Sequence, residues 1–177
     1  MAERFMKDML VQVEPLIPAL RRYARALMRE RAAADDLVQD CLERAVSRWH
    51  QRRNGSVRAW LFTILHNLAV TQFRQATARG RHMPIDDAGE RELVSAAEQE
   101  HRLIYQDVMG KLAKLPEEQR AVLLLVAVED LSYADAADVL NIPIGTVMSR
   151  LSRARERLQQ EMDGVATGNV VALRSVK

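Results

Sequence analysis

The chain has 177 residues, 48% of them hydrophobic and 28% charged, with a formal net charge of +2. Those fractions exclude a disordered chain, and no apolar run approaches the roughly 18 residues of a membrane span, so no membrane insertion is expected. A single cysteine, Cys41, excludes an intramolecular disulfide and makes the cytoplasm the expected compartment.

The start, MAERFMKDML, mixes acids with bases and lacks a long apolar core, so it does not read as a signal peptide. Few glycines and prolines in a chain rich in Ala, Leu, Arg and Glu predict helix throughout. Apolar spacing predicts a first helix from about Pro18 to Met28, with Leu20, Ala24 and Leu27 on one face. A second is expected from about Ala34 to His50, carrying Val38, Cys41, Ala45 and Trp49. Asp35 and Asp36 would fall in its first turn, where the helix dipole favours negative charge.

DDLVQDCLE concentrates four acids, and Glu43 is then the last acid before Asp86. The stretch from Arg44 to Ile85 holds eight arginines, three of the four histidines and Trp49, Trp60, Phe62 and Phe73, with no carboxylate. Arginine suits phosphate and aromatic rings can stack bases, so this block reads as a nucleic-acid surface. Within it RRNGS is a turn, and Ser56 is placed to cap a third helix through Val57, Trp60, Ile64 and Leu68 to about Arg79. Acids return and periodicity fades from residue 81 to 100, the expected linker. The expected domains are 1–80 and 101–163, with 164–177 as a loose tail after Gly164.

The second domain opens near Arg102 with Ile104, Val108, Leu112 and Leu115 in register, and Pro116 fits the first turn of a helix whose core is AVLLLVAV. Ser132 to Asp135 reads as a capping box for a short helix to about Leu140, and Asn141 suits the left-handed residue that ends it. The next helix, NIPIGTVMSRLSRARERL, turns Val147, Leu151, Ala154 and Leu158 inward. Thr146, Ser149, Arg150, Arg153 and Arg157 lie on its other side. A short capped helix, a tight turn and an arginine-bearing helix make a helix-turn-helix, in which the second helix enters the major groove.

Three motifs in order, DDLVQDCLERA, then RAWLFTILHN, then LPEEQRAVLLLVAVEDLSYADAADVLNIPIGTVMSRLSRARERL, resemble the extracytoplasmic-function (ECF) family of bacterial sigma factors. The resemblance spans roughly Leu16 to Leu158. It implies an all-α chain of two small domains, sigma regions 2 and 4, that binds core RNA polymerase and directs it to promoter DNA. It places Asp36, Leu37, Gln39 and Asp40 at the polymerase clamp. It places Trp60, His66, Asn67 and Arg74 at the −10 element, and Thr146, Ser149, Arg150, Arg153 and Arg157 at the −35 element. The sequence departs from the common pattern at His66, Thr71 and Met148, the last standing where arginine or lysine is frequent.

No nucleophile–base–orienter set, phosphate-binding Gly-rich loop or metal-ligand spacing appears, so no catalytic residue, metal or cofactor is expected. Cys41 reads as a core residue. An anti-sigma factor is the expected regulator, because no sensor domain is attached, and the free protein is expected to be a monomer. Two other readings remain: a sigma-like decoy that titrates an anti-sigma factor, and a helix-turn-helix repressor that acts without polymerase.

Overall fold

The computed structural model describes residues 2–28, 30–52, 55–78 and 96–172, and among them there is helix and no strand. Eight α-helices follow in order: α1 (Ala2–Val13), α2 (Ile17–Leu27), α3 (Arg31–Arg48), α4 (Val57–Ala78), α5 (Ala96–Ala113), α6 (Glu117–Leu123), α7 (Tyr133–Leu140) and α8 (Ile144–Ala172). A π-helical segment, Leu124–Val128, continues α6.

In the first domain, α2, α3 and α4 pack on one another. Their apolar stripes supply the centre: Leu20, Tyr23, Leu37, Cys41, Phe62 and Leu65, all essentially without solvent contact. The Tyr23 and Phe62 rings meet edge to face, 5.3 Å apart at 87°, an arrangement worth about 1 kcal/mol beyond burial alone. Cys41 donates its thiol to the Leu61 carbonyl at 3.6 Å, and burial pushes that thiol up to about 12. It therefore stays a thiol at ordinary pH and serves as a small core residue.

In the second domain α8 lies across α6 and α7. Val147, Leu151 and Ala154 are buried on α8, facing Val122 and Leu125 of the α6 run and Val139 of α7 within one continuous core. Ser132 caps α7, its Oγ accepting from the Asp135 N–H at 3.0 Å. Asn141 ends α7 at φ 51°, ψ 49°, the left-handed conformation that an asparagine tolerates. Ser56 caps α4 through the Ala59 N–H at 3.2 Å.

Several expectations are corrected. α1 precedes the first expected helix, seating Met9 and Val13 in the core. α3 starts at Arg31, so Asp35 and Asp36 lie beyond its first turn, and Asp35 pairs with Arg25 at 3.4 Å instead. Residues 79–95 of the linker region lie outside the described residues, and α5 already begins at Ala96. Ile104 and Val108 are exposed, because the buried leucines of this segment, Leu112 and Leu115, stand at its C-terminal end. Gly164 does not stop α8, which runs on to Ala172. A glycine inside a helix costs only about 1 kcal/mol.

The two domains are in contact. α7 packs against α4, and α2 meets α5, α6 and the π-helical segment.

Candidate nucleic-acid interface

Each helix of the first domain presents one face to solvent, and the candidate residues divide between inside and outside. On α3, Asp36, Gln39 and Asp40 are exposed one turn apart, an acidic strip suited to a basic partner. Gln39 donates to Glu43 at 3.1 Å on the same strip. Leu37 is a correction: its exposure is 0%, so it anchors α3 in the core and offers no surface to a partner.

On α4, Asn67 and Arg74 are exposed and seven residues apart, two turns along one face. The Asn67 backbone carbonyl accepts from the Thr71 hydroxyl at 2.8 Å. Trp60 is half-buried with its ring 5.9 Å from that of Trp49, edge to face. Arg52 lies over the other ring of this pair, Trp49, at 4.9 Å. The two tryptophans therefore form a packed wall. His66 is half-buried: its Nδ1 shares a hydrogen bond with the Tyr23 hydroxyl at 3.1 Å, and burial pulls the imidazole down to about 4. A neutral ring tied inward cannot act as a cation toward phosphate.

On α8 the arrangement is more open. Ser149, Arg153 and Arg157 are exposed and Thr146 is half-buried. The Ser149 hydroxyl donates to the Thr146 carbonyl at 3.1 Å. Arg150 differs from its neighbours: its Nη2 lies 2.6 Å from Glu118 Oε2 on α6, and its side chain is only 23% exposed. Met148 and Ile144 stand exposed one turn apart at the start of the helix. The N-terminal turns of α8 therefore offer hydroxyl, guanidinium and apolar groups to a groove.

Sequence reasoning missed the polar contacts between the domains. Glu129, at the end of the π-helical segment, has no exposed side-chain surface. Arg22 of α2 grips it with two bonds, Nε to Oε1 at 3.1 Å and Nη2 to Oε2 at 3.0 Å. Arg58 of α4 adds Nη2 to Oε2 at 3.2 Å and to the Glu129 carbonyl at 2.7 Å. Arg120 of α6, itself buried, reaches the Leu27 carbonyl at 3.2 Å. Nothing local in the sequence marks these partners, which stand 71 to 107 positions apart for Glu129.

Residues 13–66 match the family model described as the Sigma2 domain of PhyR, and residues 105–158 match that of Sigma-70, region 4. The ECF RNA polymerase sigma factor EcfG of Rhodopseudomonas palustris is 38% identical over 146 residues, covering 80% of this chain and 78% of the relative. Among solved structures, the sigma factor RpoE in complex with the anti-sigma factor NepR from Bartonella quintana matches with a TM-score of 0.75 and 33% identity. That match covers 89% of this chain and 98% of the other. The PhyRSL–NepR complex from Sphingomonas sp. Fr1 shares the fold at a TM-score of 0.62 and 24% identity, covering 85% and 87%. With its two helical domains and helix-turn-helix, the chain belongs to the ECF family of RNA polymerase sigma factors.

Proposed function

We infer that this chain binds core RNA polymerase and directs it to promoters, reading the −10 element with its first domain and the −35 element with its second. The observation that carries the reading is a pair of separate outward faces on one chain, Asn67 with Arg74 on α4 and Ser149 with Arg153 and Arg157 on α8. A repressor built on the helix-turn-helix alone has no use for the first face or for the acidic strip of α3. In this reading Asp36, Gln39 and Asp40 meet the polymerase clamp. Asn67 holds a base drawn from the −10 strand, since an amide offers both donor and acceptor. Arg153 takes a base edge in the −35 groove, and Arg157 takes phosphate. Residues 1–80 and 101–163 serve as the two working units, with no catalytic residue of their own. The site of action is the cytoplasm, where core polymerase works.

RpoE, similar to this chain at 33% identity, was solved with an anti-sigma factor. We propose the same class of regulator here, acting on a chain that is otherwise monomeric. A second reading is favoured by the match of residues 13–66 to a domain of PhyR: a decoy that occupies an anti-sigma factor and never engages DNA. In vitro transcription with purified core polymerase separates the two. Promoter-specific transcripts support the sigma reading, and their absence in the presence of a folded, core-competent chain supports the decoy.

A further inference from the structure

We propose that Met148, backed by Ile144, is a specificity-determining residue of the −35 interface and recognises the C5-methyl group of a thymine in the major groove. The inference rests on the sigma reading and deepens it, since it names one feature that α8 selects.

The two edges of the outward face of α8 differ in chemistry. Steps of three and four place Thr146, Arg150, Arg153 and Arg157 along one edge. A step of four places Ile144 and Met148 along the opposite edge. Ile144 is 46% exposed and Met148 49%, although both are large and apolar. A lone apolar side chain on a protein surface calls for no explanation. Here two stand one turn apart, on the end of the helix that a helix-turn-helix presents to base edges.

What else those turns offer narrows the choice of target. From Ile144 to Arg150 the one charged residue is Arg150. Its guanidinium is held by Glu118 of α6 at 2.6 Å, on the edge away from Met148. Ser149 gives its hydroxyl proton to the Thr146 carbonyl at 3.1 Å, so it meets DNA as an acceptor. Thr146 itself is half-buried. The apolar pair is therefore the most available group at this end of the helix. Among the base-edge features of the major groove, the apolar one is the thymine methyl, and the others donate or accept hydrogen bonds. Methionine suits that target, because its unbranched, polarisable chain adapts to the shape of what it touches.

Gly145, between the two apolar residues, favours the same contact. A Cβ added there would meet nothing within 4 Å, and its φ is not positive, so the packing of the protein does not require glycine. A bare backbone at this exposed position lets α8 seat close to DNA. Met148 lies toward the flank of the helix, and a close seat brings it within reach of the base edges.

The test starts from a duplex pool randomised across the −35 region. The pool is selected with the polymerase complex of the full chain and, in parallel, with the chain alone. Each thymine of the selected duplex is then replaced in turn by deoxyuridine, which removes the methyl and keeps every hydrogen-bonding group. One replacement is expected to weaken binding about fourfold, the effect of a single methyl group taken out of water. Met148→Leu is expected to keep that sensitivity. Met148→Ala and Met148→Gln are expected to abolish it, with thermal melting unchanged because the side chain is half-exposed. The absence of any sensitive thymine overturns the proposal, and so does a sensitivity that persists in Met148→Ala and Met148→Gln. A selected −35 sequence made only of G·C pairs overturns it as well. Transcription from the selected duplex by the polymerase complex judges the sigma reading separately. A methyl effect that depends on Met148, without promoter-specific transcripts, supports the contact and overturns the sigma reading. Promoter-specific transcripts without a methyl effect do the reverse.

Discussion

The candidate segments on α4 and α8 were equally prominent in the sequence, yet the fold uses them differently. On α4 the aromatic–histidine–asparagine segment is divided: Trp60 and His66 turn into the domain, and Asn67 with Arg74 turns out. On α8 most of the set is exposed, with Thr146 half-buried and Arg150 drawn back to Glu118. The difference comes from what surrounds each helix. α4 is flanked by α2, α3 and α7, so much of its circumference is already claimed. α8 rests on α5, α6 and α7, yet among its described side chains it buries only the stripe of Val147, Leu151 and Ala154 and leaves the other side to solvent. A residue's motif membership therefore predicts its exposure well on a helix packed along one side and poorly on one packed along several.

Removing Trp60 gives the sharpest test of the packed half of α4. Trp60→Ala is expected to destabilise the chain by about 3 kcal/mol, the lower end for tryptophan because the ring is only half-buried. Urea denaturation followed by Trp49 fluorescence reads this directly. A stability change below about 0.5 kcal/mol would return Trp60 to the surface and undo the contrast with α8.

His66 allows the same contrast to be read by pH. Its folded-state pKa is lowered from 6.5 to about 4 by burial, so between those values the unfolded chain binds more protons. The His66 contribution is thus fully present above pH 6.5 and is lost as pH falls toward 4, roughly 2 kcal/mol of it by pH 5. His66→Phe is expected to flatten this part of the stability–pH curve. A curve as steep as that of the parent chain would show that His66 titrates freely.

For the exposed side of the comparison, Arg153→Ala is expected to weaken −35 binding by about 2 kcal/mol if the guanidinium meets a base edge, with thermal stability unchanged. Gel-shift titration of the polymerase complex on matched and mutated −35 sequences measures both the loss and the relaxed specificity. Loss of core binding instead would mean that the faces have been assigned wrongly.

What the sequence made legible was what local chemistry determines. The Ser132 cap, the left-handed Asn141 and the inward stripe of Val147, Leu151 and Ala154 each depend on residues within a turn or two. The helix-turn-helix was readable for that reason. The contacts of Glu129 with Arg22 and Arg58 were not, since these partners lie 107 and 71 residues away and the π turn before Glu129 falls within a uniformly apolar run. Leu37 failed for a related reason. It adjoins a candidate position in the motif, but a step of one residue turns a helix by 100° and carries a side chain from surface to core.

The smallest effect concerns the one arginine that α8 holds back. Arg150 is bound to Glu118, whose side chain is 70% exposed, so the pair resembles an ordinary surface ion pair worth less than about 1 kcal/mol. Glu118→Ala should therefore cost the fold at most a few tenths of a kcal/mol. Its effect on DNA binding distinguishes two roles for the pair. If Glu118 merely competes with phosphate, its removal frees Arg150 and takes one negative charge from beside the DNA backbone. Affinity for −35 DNA then rises about twofold at low salt, and the slope of log K against log[salt] steepens by about one. This is the expected outcome, because an exposed carboxylate and a backbone phosphate offer a guanidinium the same planar pairing. If Glu118 instead aims Arg150 into the groove, affinity falls and specificity at one base pair relaxes with it. Anisotropy titrations of the parent chain and Glu118→Ala across a salt series, with Arg150→Ala in both backgrounds, decide the matter. A fall in affinity that vanishes when Arg150 is already absent would make Glu118 part of the reading surface, and α8 would then resemble α4 in having a reader that depends on its packing.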